Sequence, residues 1–332
     1  MTERRKDFLF LGALLAVLIL LFAKILFTDK IIRAPDITAE FYWMVKGFKE
    51  MGLRNLFAIS LHPDWNQFIN SGTTDGGANL PLNFLFYRTL IFWLVPQPAN
   101  IAWFIVFHLF FGAAGAYLCC RAVGCSRPAA FLGGLIFAVA PENASLINAG
   151  HVQKIATISF APWAFYFFER GFQARRVIFF LATGVVLALQ FFNMHWQIAY
   201  YTCLGIGVYG IFRSLTILRG ERAEKGKTFG RLLVLNLATM FFFLSTVAIS
   251  LLPVADWSRD TTRGAGRSQS AAVQGGGWFN VDEAMSWSLP PEELATFVIP
   301  GFFGLSRQEG GYNSPSIGAY YWGRMVFTQT TD

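Results

Sequence analysis

Between residues 8 and 27 a single lysine, Lys24, interrupts an otherwise apolar run of 20 residues. At 1.5 Å per residue, a helix of that length crosses a hydrocarbon core of about 30 Å. The preceding Thr-Glu-Arg-Arg-Lys-Asp is basic, but no small-x-small cleavage site follows the apolar run. Residues 1–28 therefore read as an uncleaved signal anchor with its N-terminus inside. Six further apolar segments lie at 101–120, 129–140, 155–168, 177–192, 196–212 and 232–252. Only 14% of the residues are charged, where an ordinary soluble domain has about 25%. The expected fold is an all-α integral membrane protein, a polytopic helix bundle of about seven spans. Several segments are shorter than the roughly 17 residues of a straight crossing, which predicts tilted or broken helices, with Pro162 at one break.

Charge asymmetry selects the topology. Residues 81–95 are apolar but short and carry Arg88, and whether they cross decides the sidedness of everything after them. If they do not cross, the inner pieces are 1–7, 121–128, 169–176 and 213–231, with 14 basic residues against five acids. The outer pieces then hold 12 basic residues against 15 acids, as the positive-inside rule requires. This puts 29–100 outside as a first extracytoplasmic loop. A six-span bundle follows at 101–252, and 253–332 forms a second outer segment. Phe41, Val45, Phe48 and Phe57 fit the apolar face of a helix lying along the membrane surface. The Gly/Ser-rich tract 264–277 reads as a flexible loop.

Under this topology the polar clusters collect on the outer rim. Asp36 and Glu40 follow the first span at helical i, i+4 spacing just after Pro35. Two carboxylates on one face suit acid–base work, and they equally suit an N-terminal helix cap with a solvated glutamate. His151 and Lys154 lie in one outer turn, His195 and Gln197 in another, and Arg263 and Arg267 follow the last span. The histidines also fit interfacial side chains bonded to loop carbonyls, and the arginines fit unselective lipid headgroup contacts. His108, within a span, reads as a packed, hydrogen-bonded histidine. Asn143-Ala144-Ser145 matches a glycosylation sequon. His62-Pro63-Asp64 offers only two metal ligands, too few for a site. Cys119, Cys120, Cys125 and Cys203 lie in or beside apolar segments without CxxC spacing, which supports neither a disulfide framework nor a zinc site. No phosphate loop, dinucleotide fingerprint or nucleophile elbow occurs, and no nucleic-acid partner is expected.

Several phrases resemble the YfhO-like bacterial membrane proteins. They are Ala149-Gly150-His151-Val152-Gln153-Lys154, Asn193-Met194-His195-Trp196-Gln197, Asp260-Thr261-Thr262-Arg263-Gly264, Trp287-Ser288 with Glu293, and Tyr321-Trp322-Gly323. They run in family order along most of the chain. Met194, Trp196 and the pair Pro290-Pro291 depart from the usual pattern. The resemblance implies a GT-C-like fold in the bacterial inner membrane, acting on a polyprenyl-phosphate-linked sugar and an extracytoplasmic envelope glycan or protein acceptor. Asp36 matches the acidic position of the first outer loop and is the candidate catalytic base. Glu40, His151, Lys154, His195, Gln197, Arg263, Arg267 and Glu293 are then the candidate substrate-binding residues. A lipid monophosphate leaving group does not require a metal, so no metal or other cofactor is expected. Family members run longer, so the chain resembles their N-terminal part, which implies either a fragment or a split product that works with a C-terminal partner chain. A transporter or flippase of a lipid-linked substrate is the alternative, and a glycan-binding envelope scaffold is another.

Overall fold

The computed structural model describes residues 3–34, 36–38, 42, 65–66, 73–74, 86–221, 224–257, 291–299 and 302. The described chain is almost wholly helical, apart from a two-residue antiparallel pairing of Trp65–Asn66 with Thr73–Thr74. It divides into two units, Met1–Pro253 and Val254–Asp332. In the second unit Pro291–Phe297 forms a 3₁₀ helix. The first unit begins with α1 (Glu3–Leu21) and the short α2 (Ala23–Leu26), followed by α3 (Phe86–Leu94) and α4 (Ala99–Ala122). After these come α5 (Arg127–Val139), α6 (Pro141–Ala149), α7 (Val152–Ser159) and α8 (Ala161–Ala174). The series closes with α9 (Val177–Phe191), α10 (Trp196–Gly220) and α11 (Lys225–Trp257).

Among the described residues four stretches are long and apolar enough to cross a membrane: Ala99–Ala122, Arg127–Ala149, Trp196–Gly220 and Lys225–Pro253. They mark a helical membrane protein. α9 is apolar but only 15 residues long. The predicted break near Pro162 is present: α7 stops at Ser159, and α8 begins at Ala161 with the proline in its first turn, where a missing N–H costs nothing.

α4 is the hub, packing against α1, α2, α3, α5, α7 and α8. Its sequence is apolar on every face, which a helix tolerates only when surrounded. Some 67% of its span is buried, against 11% for α10, whose Val208, Ile211 and Phe212 stay exposed. The run Gly112-Ala113-Ala114-Gly115 lets neighbours approach closely, as small residues do between membrane helices. A Cβ on Gly134 of α5 would stand 2.8 Å from the Ala113 carbonyl oxygen. Trp163 of α8 covers Gly115 and donates its indole N–H to the Phe111 carbonyl at 2.8 Å.

α3 packs along α4. Phe92 stacks on Phe104 at 5.1 Å between ring centres and Tyr87 meets His108 at 5.6 Å, so α3 runs antiparallel along the first half of α4. Nine residues rise about 14 Å, half a bilayer core at most. His108 is fully buried, with Nδ1 2.8 Å from the Phe104 carbonyl and Nε2 3.1 Å from the Tyr87 hydroxyl. It is a packed, bonded histidine, as expected from its sequence context.

The basic residues that sidedness alone assigned to the inner loops do more than set topology. Asp7 accepts from Tyr117 at 2.7 Å and from Arg127 Nε at 2.8 Å, with Arg121 Nε at 3.4 Å, docking the start of α1 against α4 and α5. Desolvation pushes the Asp7 pKa up, but the bonds from Tyr117 and Arg127 and the charges of Arg127 and Arg121 together hold it below its ordinary value. Glu169 of α8 is buried and gathers four donors. Arg213 grips both of its oxygens at 2.8 and 2.9 Å, Tyr209 donates at 2.8 Å and Gln173 at 2.9 Å.

Candidate functional site

Asp36 is held by the backbone on either side of it. Residues 36–38 are helical, and both the N–H and the hydroxyl of Thr38 bond the Ala34 carbonyl at 3.0 Å. Ala34 and Ile37 are buried in the core beside α4, which leaves the intervening Asp36 side chain at the surface. The Tyr42 hydroxyl accepts from the Ile32 N–H at 3.0 Å and closes the segment on itself.

His151 is placed by a helix end. α6 terminates with Gly150 at φ +89°, its N–H bonding the Ile147 carbonyl at 3.1 Å, while the His151 N–H reaches back to the Leu146 carbonyl at 2.8 Å. This is a Schellman cap with glycine in the left-handed position and His151 immediately after it. His151 is also the residue before the first turn of α7, which carries Lys154. The turn that reads as a loop in sequence is thus helix, glycine, helix. The Asp36 backbone rests directly on that glycine: a Cβ there would stand 2.9 Å from the Ile37 nitrogen and 3.0 Å from the Asp36 Cβ. As a result Asp36 Oδ2 and His151 Nδ1 lie 2.9 Å apart, with both side chains partly exposed. Gly150→Ala is expected to cost about 1–3 kcal/mol from the left-handed φ alone and to push Asp36 off His151. Thermal unfolding in detergent reads the first effect, and any activity that needs the pair reads the second.

His195 joins them from α9 and α10. Met194 sits at φ +66°, and His195 is the residue before the first turn of α10. Beneath this turn, Gln190 donates to the Thr157 carbonyl at 3.0 Å and to the Thr202 hydroxyl at 2.9 Å, tying α9 to α7 and α10. Asn193 is fully buried and donates to the Leu189 carbonyl at 2.9 Å. Burial first, then the positive charge of Lys154 and of His151, hold the His195 pKa down to about 4. His195 is therefore neutral at pH 7. The neutral ring contributes its full stability above pH about 6.5, the ordinary histidine value, and that contribution is lost as pH falls toward 4. The melting temperature in detergent should decline over that window in the parent protein. The decline should be shallower in His195→Gln, and equal slopes would contradict the assignment.

An apolar cavity of about 580 Å³ opens among α1, α2, α5 and α6. Leu21, Phe22, Ile25 and Ile32 line one side and Ala138, Val139, Ala144 and Ile147 the other, with Arg33, Ala34 and Asn148 among the remaining residues. Ala34 is two residues from Asp36 and Asn148 is three from His151.

Of the residues singled out in sequence, the structure brings Asp36, His151, Lys154 and His195 together. Gln197 is exposed and donates to the Tyr201 hydroxyl at 2.9 Å, along its own helix. Glu293 lies on the 3₁₀ helix of the second unit. Glu40, Arg263, Arg267, His62, Asp64, the proposed surface face from Phe41 to Phe57 and the tract 264–277 lie outside the described residues. The sequon asparagine, Asn143, is buried, with its amide nitrogen bonded to the Phe137 and Ala138 carbonyls at 2.8 and 3.2 Å, so it does not present an acceptor for glycosylation. Among the described residues no three His, Cys, Asp or Glu side chains gather as a metal site. Sequence reasoning missed Gly150 as the contact that seats Asp36, and the layer of Thr157 and Thr202 under the histidines. A glycine between two helical stretches was the signal for the first; threonines in apolar segments carried none for the second.

No family model, no curated protein and no solved structure matches this chain. The likeness to the YfhO-like proteins rests on the phrases quoted above.

Proposed function

We propose that this chain is a GT-C-type glycosyltransferase of the bacterial cytoplasmic membrane. In this reading it has about seven spans, with the N-terminus inside and the Asp36 rim outside. It transfers a sugar from a polyprenyl phosphate to an envelope acceptor. The observation that carries the reading is the 2.9 Å Asp36–His151 pair, with Lys154 and His195 near His151. An apolar cavity with Arg33 and Asn148 among its lining residues suits a ligand that is part lipid and part anion. The acceptor hydroxyl attacks the anomeric carbon, its proton passes to the Asp36 carboxylate, and the bond to the phosphate oxygen breaks with inversion. His151 donates to Asp36 Oδ2, holding the carboxylate and leaving Oδ1 for the acceptor. Lys154 and the N-terminal ends of α7 and α10 meet the departing phosphate, where backbone N–H groups and helix dipoles favour an anion.

The test is transfer from a synthetic polyprenyl-phosphate sugar to a soluble acceptor by the purified protein in lipid. Activity that disappears in Asp36→Asn supports the reading. Parent-like turnover in that variant removes Asp36 as base. Movement of a labelled lipid across vesicles without any sugar transfer makes the protein a flippase instead.

A further inference from the structure

α4 ends in the same kind of cap as α6, but with thiols at the two positions the cap brings together. Gly124 has φ +95° and its N–H bonds the Arg121 carbonyl at 3.2 Å, while the Cys125 N–H bonds the Cys120 carbonyl at 3.0 Å. This is the six-to-one, five-to-two pattern of a Schellman motif, in which the side chains before and after the turn meet, usually as a hydrophobic contact. Here those side chains are Cys120 and Cys125. Both are free and partly exposed, and Val123 and Gly124 between them are exposed. Arg121 donates to the Cys125 carbonyl, so the turn is gripped from its own helix.

We propose that Cys120 and Cys125 form a reversible dithiol–disulfide site at the C-terminal end of α4, closed by hydroperoxides. The pair is local and made by a turn, not part of a disulfide framework joining distant segments. Cys125, on the turn, attacks the peroxide O–O bond, giving a sulfenic acid and one water. The Cys120 sulfur then displaces the sulfenic hydroxyl as a second water, forming the S–S bond. Two thiols lose two electrons and two protons, and one hydrogen peroxide becomes two waters. The second step is intramolecular, because the cap sets the two residues at the positions whose side chains meet. Closure locks the turn whose Arg121 faces Asp7 at 3.4 Å and whose next residues lead to Arg127, the contacts that dock α1.

The test uses the full chain, purified in detergent and treated with hydrogen peroxide. After denaturation, titratable thiols should fall from four to two and return to four with dithiothreitol. Trypsin cuts after Arg121, so Cys120 and Cys125 end on separate peptides, and mass spectrometry should find those two joined only in the oxidised sample. Cys119→Ser should leave the cross-link intact. Cys120→Ser should leave Cys125 as a sulfenic acid trapped by dimedone. Gly124→Ala, which strains the cap, should slow cross-linking several-fold. A cross-link through Cys119 or Cys203, or four thiols surviving peroxide that oxidises free dithiothreitol, overturns the proposal.

Discussion

Replacing Glu169 with alanine is expected to destabilise the protein by about 3–5 kcal/mol, the cost of leaving a buried charge without its partner. The side chain is only 5% exposed and Arg213, its bidentate partner, is 23% exposed, so water replaces little of what is lost. Glu169→Gln tests the charge at nearly constant shape. It leaves one acceptor oxygen and turns an NH₂ group toward the guanidinium, and it should be almost as damaging. The double variant Glu169→Leu with Arg213→Leu removes both charges and should recover much of the loss, because an ion pair replaced by apolar groups is often close to neutral. Equilibrium unfolding in detergent measures all three. A double variant as unstable as the sum of the singles would show that the two residues act independently, and would remove this pair as the clasp between α8 and α10.

The second large effect concerns the pair at the rim. On the proposed reading, Asp36→Asn should lower sugar transfer by about 10²–10⁴-fold, the usual contribution of a positioned general base, and His151→Gln, which frees that carboxylate, should lower it as well. Groups that act as one unit are strongly non-additive, so the double variant should be little slower than the worse single. Initial rates with a synthetic donor measure the cycle. Independent losses that multiply would mean that the 2.9 Å contact between them has no part in the reaction. Lys154→Gln should act differently, weakening donor binding and departure of the phosphate, and so shifting the donor-concentration dependence along with the rate.

The candidate site was partly legible because the parity of the spans is a long-range statement that sequence can make. Once 81–95 are taken not to cross, residues 36, 151, 154 and 195 must all face the same side, whatever the details of packing. The structure adds the contact. It comes from a glycine cap at Gly150 and the Asp36 backbone lying against it, neither of which periodicity or charge counting registers. The same counting left the partners of Arg121, Arg127 and Arg213 unread. It needed only their sign and loop, whereas their partners Asp7 and Glu169 are 114, 120 and 44 residues away.

Apolar run length determined, without any structure, that this is a helical membrane protein, and the distribution of Lys and Arg set the expected sidedness. Both follow from the energetics of the bilayer, which acts on each segment separately. Tertiary structure decided which helix is the hub, that α3 lies along α4, and which acids pair with which arginines. It also turned the isolated Asp36 of the sequence into half of a pair with His151. Those outcomes depend on which small residues allow close approach and which buried groups find partners, and packing settles both between segments far apart in the chain.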